Sequence, residues 1–218
     1  MINTKKTIKI VVSFIILSVS FCNAQNFNMT ASQLREIYDD VYYKATYPDI
    51  AKAYGTSDAF RHFVDYGMNE WRKPSAVFDP TYYKNHYEDL KYGFGNNAYG
   101  YYAHFVLYGR NEMRRGSQEF DPVFYKNNNS DLINAYGNSG NHYYWHYIVY
   151  GQKEKRAPVS INDPYYKTWN DIKEIRSKAY QQKSNNSQNR PNNRRSSNQL
   201  KSGEKNYKVD HTNGLQTF

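Results

Sequence analysis

A pattern of about forty residues occurs three times in this chain, and it limits the possible folds more than any other feature. The clearest copy runs from Phe78-Asp79-Pro80-Thr81-Tyr82-Tyr83 to Glu112-Met113-Arg114-Arg115-Gly116-Ser117. Upstream, Tyr38-Asp39-Asp40-Val41-Tyr42-Tyr43 opens a copy that closes at Glu70-Trp71-Arg72-Lys73-Pro74-Ser75. Downstream, Phe120-Asp121-Pro122-Val123-Phe124-Tyr125 opens one that closes at Glu154-Lys155-Arg156-Ala157-Pro158. His62, His104 and His146 are 42 residues apart, and Gly67/Gly109/Gly151, Glu70/Glu112/Glu154 and Arg72/Arg114/Arg156 keep that spacing. Tyr43 precedes Tyr83 by only 40, so the first copy is two residues shorter, in the stretch between Gly55 and His62. An indel confined to one loop, with both flanks in register, marks a repeated structural unit. Its period suits a helical hairpin that buries its apolar face against its neighbours.

Both halves of each copy carry helical periodicity. Asp79-Pro80 and Asp121-Pro122 are helix starts: the aspartate caps free N–H groups, and proline suits the first turn. The first copy has Asp39-Asp40 and lacks the proline. Tyr83, Tyr87, Leu90 and Phe94 then follow at i, i+4, i+7 and i+11, one face of a helix. The counterparts are Tyr43, Tyr47, Ile50 and Tyr54, and Tyr125, Asn129, Leu132 and Tyr136. Gly55, Gly95 and Gly137 stand where a C-terminal cap is expected. A second helix is predicted with Phe60, Phe63 and Val64 on its apolar side, matched by Tyr102, Phe105, Val106 and by Tyr144, Tyr147, Ile148. It ends or kinks at Gly67, Gly109 and Gly151. His62–Tyr66, His104–Tyr108 and His146–Tyr150 are i, i+4 pairs on a second aromatic face, expected to meet a neighbouring unit.

The expected fold is all-α: three tandem helical hairpins stacked in one domain, at 38–75, 76–117 and 118–160. A leader at 25–37 precedes them, with a short turn from Ser32 to Tyr38. Asp163-Pro164-Tyr165-Tyr166 opens a truncated fourth copy, with Trp169, Ile172 and Ile175 at helical spacing. It reads as a capping helix at 161–180 over the open end of the third unit.

The ends of the chain have a different character. Residues 1–24 read as a signal peptide: Lys5, Lys6 and Lys9, then a mostly apolar run from Ile10 to Phe21, then Cys22-Asn23-Ala24 before a cut at Gln25. The competing reading, a lipoprotein acylated at Cys22, wants a small residue where Phe21 stands. The single cysteine leaves with the signal, so the mature chain has no disulfide, cysteine nucleophile or thiolate metal site. The expected location is outside the cytoplasm: secreted or at the cell surface, periplasmic in a diderm bacterium. Residues 25–176 hold 18 basic and 18 acidic residues, whereas 177–218 hold eight basic and two acidic ones. That tail is rich in Asn, Ser and Gln, cannot bury enough surface to offset chain entropy, and is read as disordered from 181 onward. Its charge suits an anionic surface; a secreted chain is not expected to meet nucleic acid.

The combined pattern is Phe-Asp-Pro-x-Tyr-Tyr, Asp-Leu, Tyr/Phe-Gly, then His-Phe/Tyr-x-x-Tyr-Gly-x-x-Glu-x-Arg. Over residues 38–158 it resembles a tandem repeat of bacterial secreted and cell-surface proteins, often placed beside cell-wall hydrolase, carbohydrate-active or glycosyltransferase modules. The resemblance implies an extracellular setting and carries no assigned activity. The first copy, without proline, and Asn129 in the third depart from the pattern.

Candidate chemistry is sparse. His62, His104 and His146 recur like packing positions, hydrogen-bonded to a tyrosine or carboxylate, rather than like metal ligands. The Glu-x-Arg pairs (Glu70/Arg72, Glu112/Arg114, Glu154/Arg156) read as ion pairs tying one hairpin to the next. No phosphate loop, nucleophile elbow, zinc motif or cofactor fingerprint occurs, and no cofactor is expected. Aromatics make up 17% of the chain, with 24 tyrosines against 11 phenylalanines. Tyrosine joins a flat apolar ring to a polar edge, which suits sugar faces and protein interfaces as well as a core. Tyr99, Tyr101 and Tyr143 lie off the core stripes and are the candidates for a contact surface. The favoured function is a non-catalytic module that binds a glycan, cell-wall polymer or surface protein. The alternative is a glycan hydrolase using a carboxylate pair.

Overall fold

A computed structural model describes residues 27–188, 207–210 and 214–217. The expected signal peptide lies outside the described residues. The body of the fold is helical. Helix α1, Ala31–Arg35, begins at Thr30, which shares a reciprocal capping box with Gln33. The first segment then holds α2 (Asp40–Thr46), α3 (Pro48–Tyr54) and α4 (Phe60–His62). The second holds α5 (Pro80–His86), α6 (Glu88–Phe94) and α7 (Ala98–His104). The third holds α8 (Pro122–Asn127), α9 (Ser130–Tyr136) and α10 (Gly140–His146). After α4, α7 and α10 the chain runs on into π-helical turns, Phe63–Gly67, Phe105–Gly109 and Tyr147–Gly151.

The caps form as the residue types dictate. Asp39, Asp79 and Asp121 each accept from the backbone N–H groups two and three residues on. The long first helix of each expected hairpin does not form. Tyr47 and Tyr87 take extended backbone values and Asn129 another non-helical conformation, and they split it in two. Pro48 imposes this on Tyr47 directly, because a residue before proline is driven out of the helical region. In each copy the split residue is also tethered to distant backbone or to its own helix. The Tyr47 hydroxyl accepts from Lys73 N at 2.7 Å, the Tyr87 hydroxyl donates to Arg115 O at 3.4 Å, and Asn129 Nδ2 donates to Tyr125 O at 2.7 Å. The unit is therefore three short helices and a π turn rather than a two-helix hairpin.

Gly67, Gly109 and Gly151 end the helical run, as expected, and they also make room. A Cβ at Gly109 would sit 2.2 Å from the Tyr83 hydroxyl, and the other two meet Tyr43 and Tyr125 in the same way. The tyrosine that opens each segment reaches the π turn that closes it only because no side chain stands there. The backbone closes each segment as well: Asp39 N donates to Pro74 O, Asp79 N to Gly116 O and Asp121 N to Pro158 O, at 2.9–3.0 Å.

Aromatic rings fill the interior. Phe78 stacks on Phe105 at 4.3 Å, Phe120 on Tyr147 at 4.8 Å and Tyr38 on Phe63 at 5.5 Å. Successive segments meet through Phe63–Tyr102 and Phe105–Tyr144 edge contacts. The Tyr102 hydroxyl donates to Arg72 O and that of Tyr144 to Arg114 O. One continuous core runs from Met29 to Ile148, with Tyr83 and Leu90 in it as the helical stripe requires.

The first and third segments also touch, which a linear stack would not allow. Gln152 Nε2 donates to Asp39 Oδ2 at 3.0 Å, and the Tyr42 hydroxyl donates to Glu119 Oε1 at 2.6 Å. The capping helix is longer than expected. Helix α11, Tyr166–Gln188, covers the third segment and continues to the first. Arg176 Nη2 and the Tyr165 hydroxyl bind Glu119, Ser177 Oγ donates to Lys153 O, and the Tyr180 hydroxyl donates to Asp39. Trp169, Ser177 and Tyr180 are its buried positions, whereas Ile175 of the expected stripe is exposed. The tail read as disordered from 181 thus remains helical to Gln188. Further on, β1 (Tyr207–Asp210) pairs antiparallel with β2 (Gly214–Thr217), Tyr207 opposite Thr217. Tyr207-Lys208-Val209 and Leu215-Gln216-Thr217 alternate apolar and polar residues, a strand signal overshadowed by the composition around it. The rest of 189–218 lies outside the described residues.

Candidate functional site

The same cluster is built once in each segment, around a histidine at the junction of helix and π turn. Nδ1 of His62, His104 and His146 lies 3.2, 3.0 and 2.9 Å from the hydroxyl of Tyr43, Tyr83 and Tyr125. Histidine bonded to tyrosine was the expectation, but the bonded tyrosine belongs to the core stripe. Burial pushes the His104 pKa down to about 4, helped by the positive charge of Arg114 and opposed by Glu112 and Asp89. The His146 pKa is lowered for the same first reason. Burial holds the Tyr83 hydroxyl well above its ordinary value. Near neutral pH the His104–Tyr83 pair is therefore uncharged, one ring nitrogen of the histidine donating and the other accepting.

The i+4 tyrosines lie on the outer side of these histidines. The rings of Tyr66, Tyr108 and Tyr150 sit 5.5, 5.8 and 5.5 Å from His62, His104 and His146. They were expected to pack against a neighbouring unit, yet they are 61%, 40% and 43% exposed. The π turn positions them: it inserts no break after the histidine and carries each tyrosine one residue before the close-packed glycine.

An arginine completes each cluster. Arg72 binds Asp49 through both terminal nitrogens and Glu70 through Nε, and lies 4.7 Å over the Tyr47 ring. Arg114 binds both oxygens of Asp89 through Nη1 alone and Glu112 through Nε, and lies 4.7 Å over the Tyr87 ring. Arg156 binds Asp131 and Glu154; where the ring is replaced by Asn129, its Nη1 donates to the amide oxygen at 2.8 Å instead. These ion pairs tie the end of a segment to its own middle helix, not one hairpin to the next. The pattern contained both the Glu-x-Arg pair and the aspartate 23–25 residues upstream, Asp49, Asp89 and Asp131, but not the link between them. Arg72 and Arg156 hold Asp49 and Asp131 below the usual carboxylate range. A carboxylate stabilised as its anion is a poor proton donor, so Asp49 and Asp131 are suited to ion pairing rather than to general-acid work.

Tyr99, Tyr101 and Tyr143 do not form a contact surface. Tyr101 and Tyr143 are wholly buried and donate to Gly95 O and Gly137 O, at the positive-φ turns that precede their helices. Tyr99 is 7% exposed and donates to Phe27 O, tying down the leader. The six-residue spacing from Gly95 to Tyr101 and from Gly137 to Tyr143 was the available signal. Among the described residues, no three His, Cys, Asp or Glu side chains gather as a metal site, and no helix is long and apolar enough to cross a membrane.

Comparison with protein-family models, with curated proteins and with solved structures finds no match, so the function of this chain is argued from its own residues.

Proposed function

We propose that the chain is a secreted, non-catalytic interaction module made of three copies of one unit, each presenting the same edge to an extracellular polymer that contains sugars. The observation that carries this reading is the exposed tyrosine at 66, 108 and 150, held in each copy against the ring of a histidine. An exposed ring on a rigid turn supplies a flat apolar face at low entropic cost. Beside it stand an arginine and two carboxylates, whose planar polar groups suit sugar hydroxyls; in the second copy their charges reach His104 itself. Three such edges on one body favour a partner that repeats, because linked weak contacts sum to a firm one. The basic residues after Gln188 add attraction to an anionic surface.

The test compares the mature protein with a Tyr66→Ala/Tyr108→Ala/Tyr150→Ala variant in pull-downs on insoluble cell-wall polymers and on a glycan array. The expected result is loss of retention with an unchanged melting temperature. Equal retention by the variant, or release of reducing ends from a bound polymer, would overturn the reading.

A further inference from the structure

Away from the threefold edges, the two ends of the described body meet over a single cleft. Its volume is 390 Å³, within the range of small-molecule sites. The end of α1 contributes Arg35, the start of the first segment Asp39 and Asp40, the turn after the third π turn Lys153, and α11 Tyr180 and Lys183. The junctions between the other segments are built differently among the described residues. There the outer oxygen of the capping aspartate meets a cation supplied just upstream: Lys73 reaches Asp79 at 2.8 Å and Arg115 lies 3.9 Å from Asp121.

The acids in this cleft are already satisfied. Asp39 accepts from Val41 N and Tyr42 N on one oxygen, and from Gln152 and the Tyr180 hydroxyl on the other. Asp40 accepts from the Tyr38 hydroxyl and Ala59 N on one oxygen and holds Lys44 and Lys183 on the other. Arg35 is bound to Asp58. Lys153 is different: it is half-buried, lines the cleft, and has no carboxylate partner among the described residues. Two further cations stand around the same space, and one carboxylate, Asp40, already serves two lysines. The wall therefore offers one ammonium, that of Lys153, which its own acids do not consume.

We propose that this cleft binds a small anionic molecule, its phosphate or carboxylate group held by Lys153 with Lys183 and Arg35 around it. The site is independent of the tyrosine edges and would occur once per chain. Because its walls come from the first segment, the third segment and α11, an occupant also bridges the parts that close the fold and adds to their stability by mass action.

The test is calorimetric and NMR titration of the full mature protein with inorganic phosphate, with glucuronate, and with glucose as the neutral control. The expected result is saturable binding of at least one of the two anions, none of glucose, and a Tm raised by the anion that binds. Lys153→Glu should weaken that binding by at least about tenfold. Lys52→Glu, an exposed lysine remote from the cleft lining, should leave it unchanged; if Lys153→Glu does not fold, Lys153→Ala takes its place. Saturation by phosphate alone assigns the site to phosphate esters, and by glucuronate alone to acidic sugars. No saturable binding of either anion, equal binding of glucose, or equal weakening by the two lysine variants would overturn the proposal.

Discussion

The hydroxyl of Tyr83 lies 3.0 Å from Nδ1 of His104, and it reaches that position through the gap left by Gly109. This one relationship joins the start of a segment to its end and sets the outer tyrosine in place. Gly109→Ala should therefore force the tyrosine aside and destabilise by about 1–3 kcal/mol, as overpacking does. Tyr83→Phe should cost about 1–3 kcal/mol, because it leaves a buried ring nitrogen without its partner. Urea unfolding of both variants checks the pair; an unaltered midpoint for either would mean that the cluster does not hold the segment together.

Tyr83 and Leu90 are 0% and 1% exposed, so Tyr83→Ala and Leu90→Ala should each cost roughly 2–5 kcal/mol through the cavities they leave. Thermal melts of the two variants measure this. Substitution of exposed Tyr92 by alanine serves as the control and should change little.

Acid should weaken the fold through the buried histidines. The folded-state pKa of His104 is about 4, below its ordinary 6.5. The unfolded chain therefore takes up a proton on this ring as pH falls through 6.5, while the folded chain does not until pH 4. The stability due to the neutral ring is fully present above pH 6.5 and is lost between 6.5 and 4, by up to about 3 kcal/mol. A His104→Asn variant should show a flatter stability profile over that window. The arginine-bound carboxylates Asp49 and Asp131 titrate lower still and act below it.

The histidines should be indifferent to metal. Each is bonded to a tyrosine within its own segment. A chelator should leave the melting curve unchanged; a drop in Tm restored by zinc would make a metal site the better explanation.

Truncation separates the helix from the charged tail. Counted from where the basic surplus begins at residue 177, composition alone predicts that a chain ending at Arg176 melts like the full one. Ser177 and Tyr180 are buried, however, and Tyr180 bonds Asp39 across the closure. That truncation should cost about 3–5 kcal/mol, on the order of 10 °C in Tm. A chain ending at Gln188 should keep its Tm and lose salt-sensitive retention on an anionic polymer.

What the sequence revealed and what it hid follow from how far apart the interacting residues lie. The caps at Asp79 and Asp121, the Tyr83–Leu90 stripe and the C-capping Gly55, Gly95 and Gly137 depend on neighbours within a turn or two, and they were readable. The break at Tyr87 depends on a tether to Arg115 O, 28 residues on, which helical periodicity does not register. The exposed side of Tyr66, Tyr108 and Tyr150 was misjudged because an aromatic face looks like a packing face until the neighbours are known. The contact between Asp39 and Gln152 spans 113 residues and joins a cap that recurs to a glutamine that does not, since Met68 and Arg110 stand at its position in the other copies. A search for what repeats passes over such residues.

That contact has a consequence for how the chain could ever change in length. Where units merely stack, one more can be added at little cost, and size drifts freely over generations. Here Gln152 and Tyr180 both hold Asp39, so an extra unit would drive apart the first and last members and unseat α11 in the same event. Phe60 carries the same imprint: it stands where Tyr102 and Tyr144 bear a hydroxyl, and no earlier segment offers a carbonyl for one to meet. Gene duplication within this chain would have to rebuild both ends at once, and the number three is thereby held in place by the residues that occur only once.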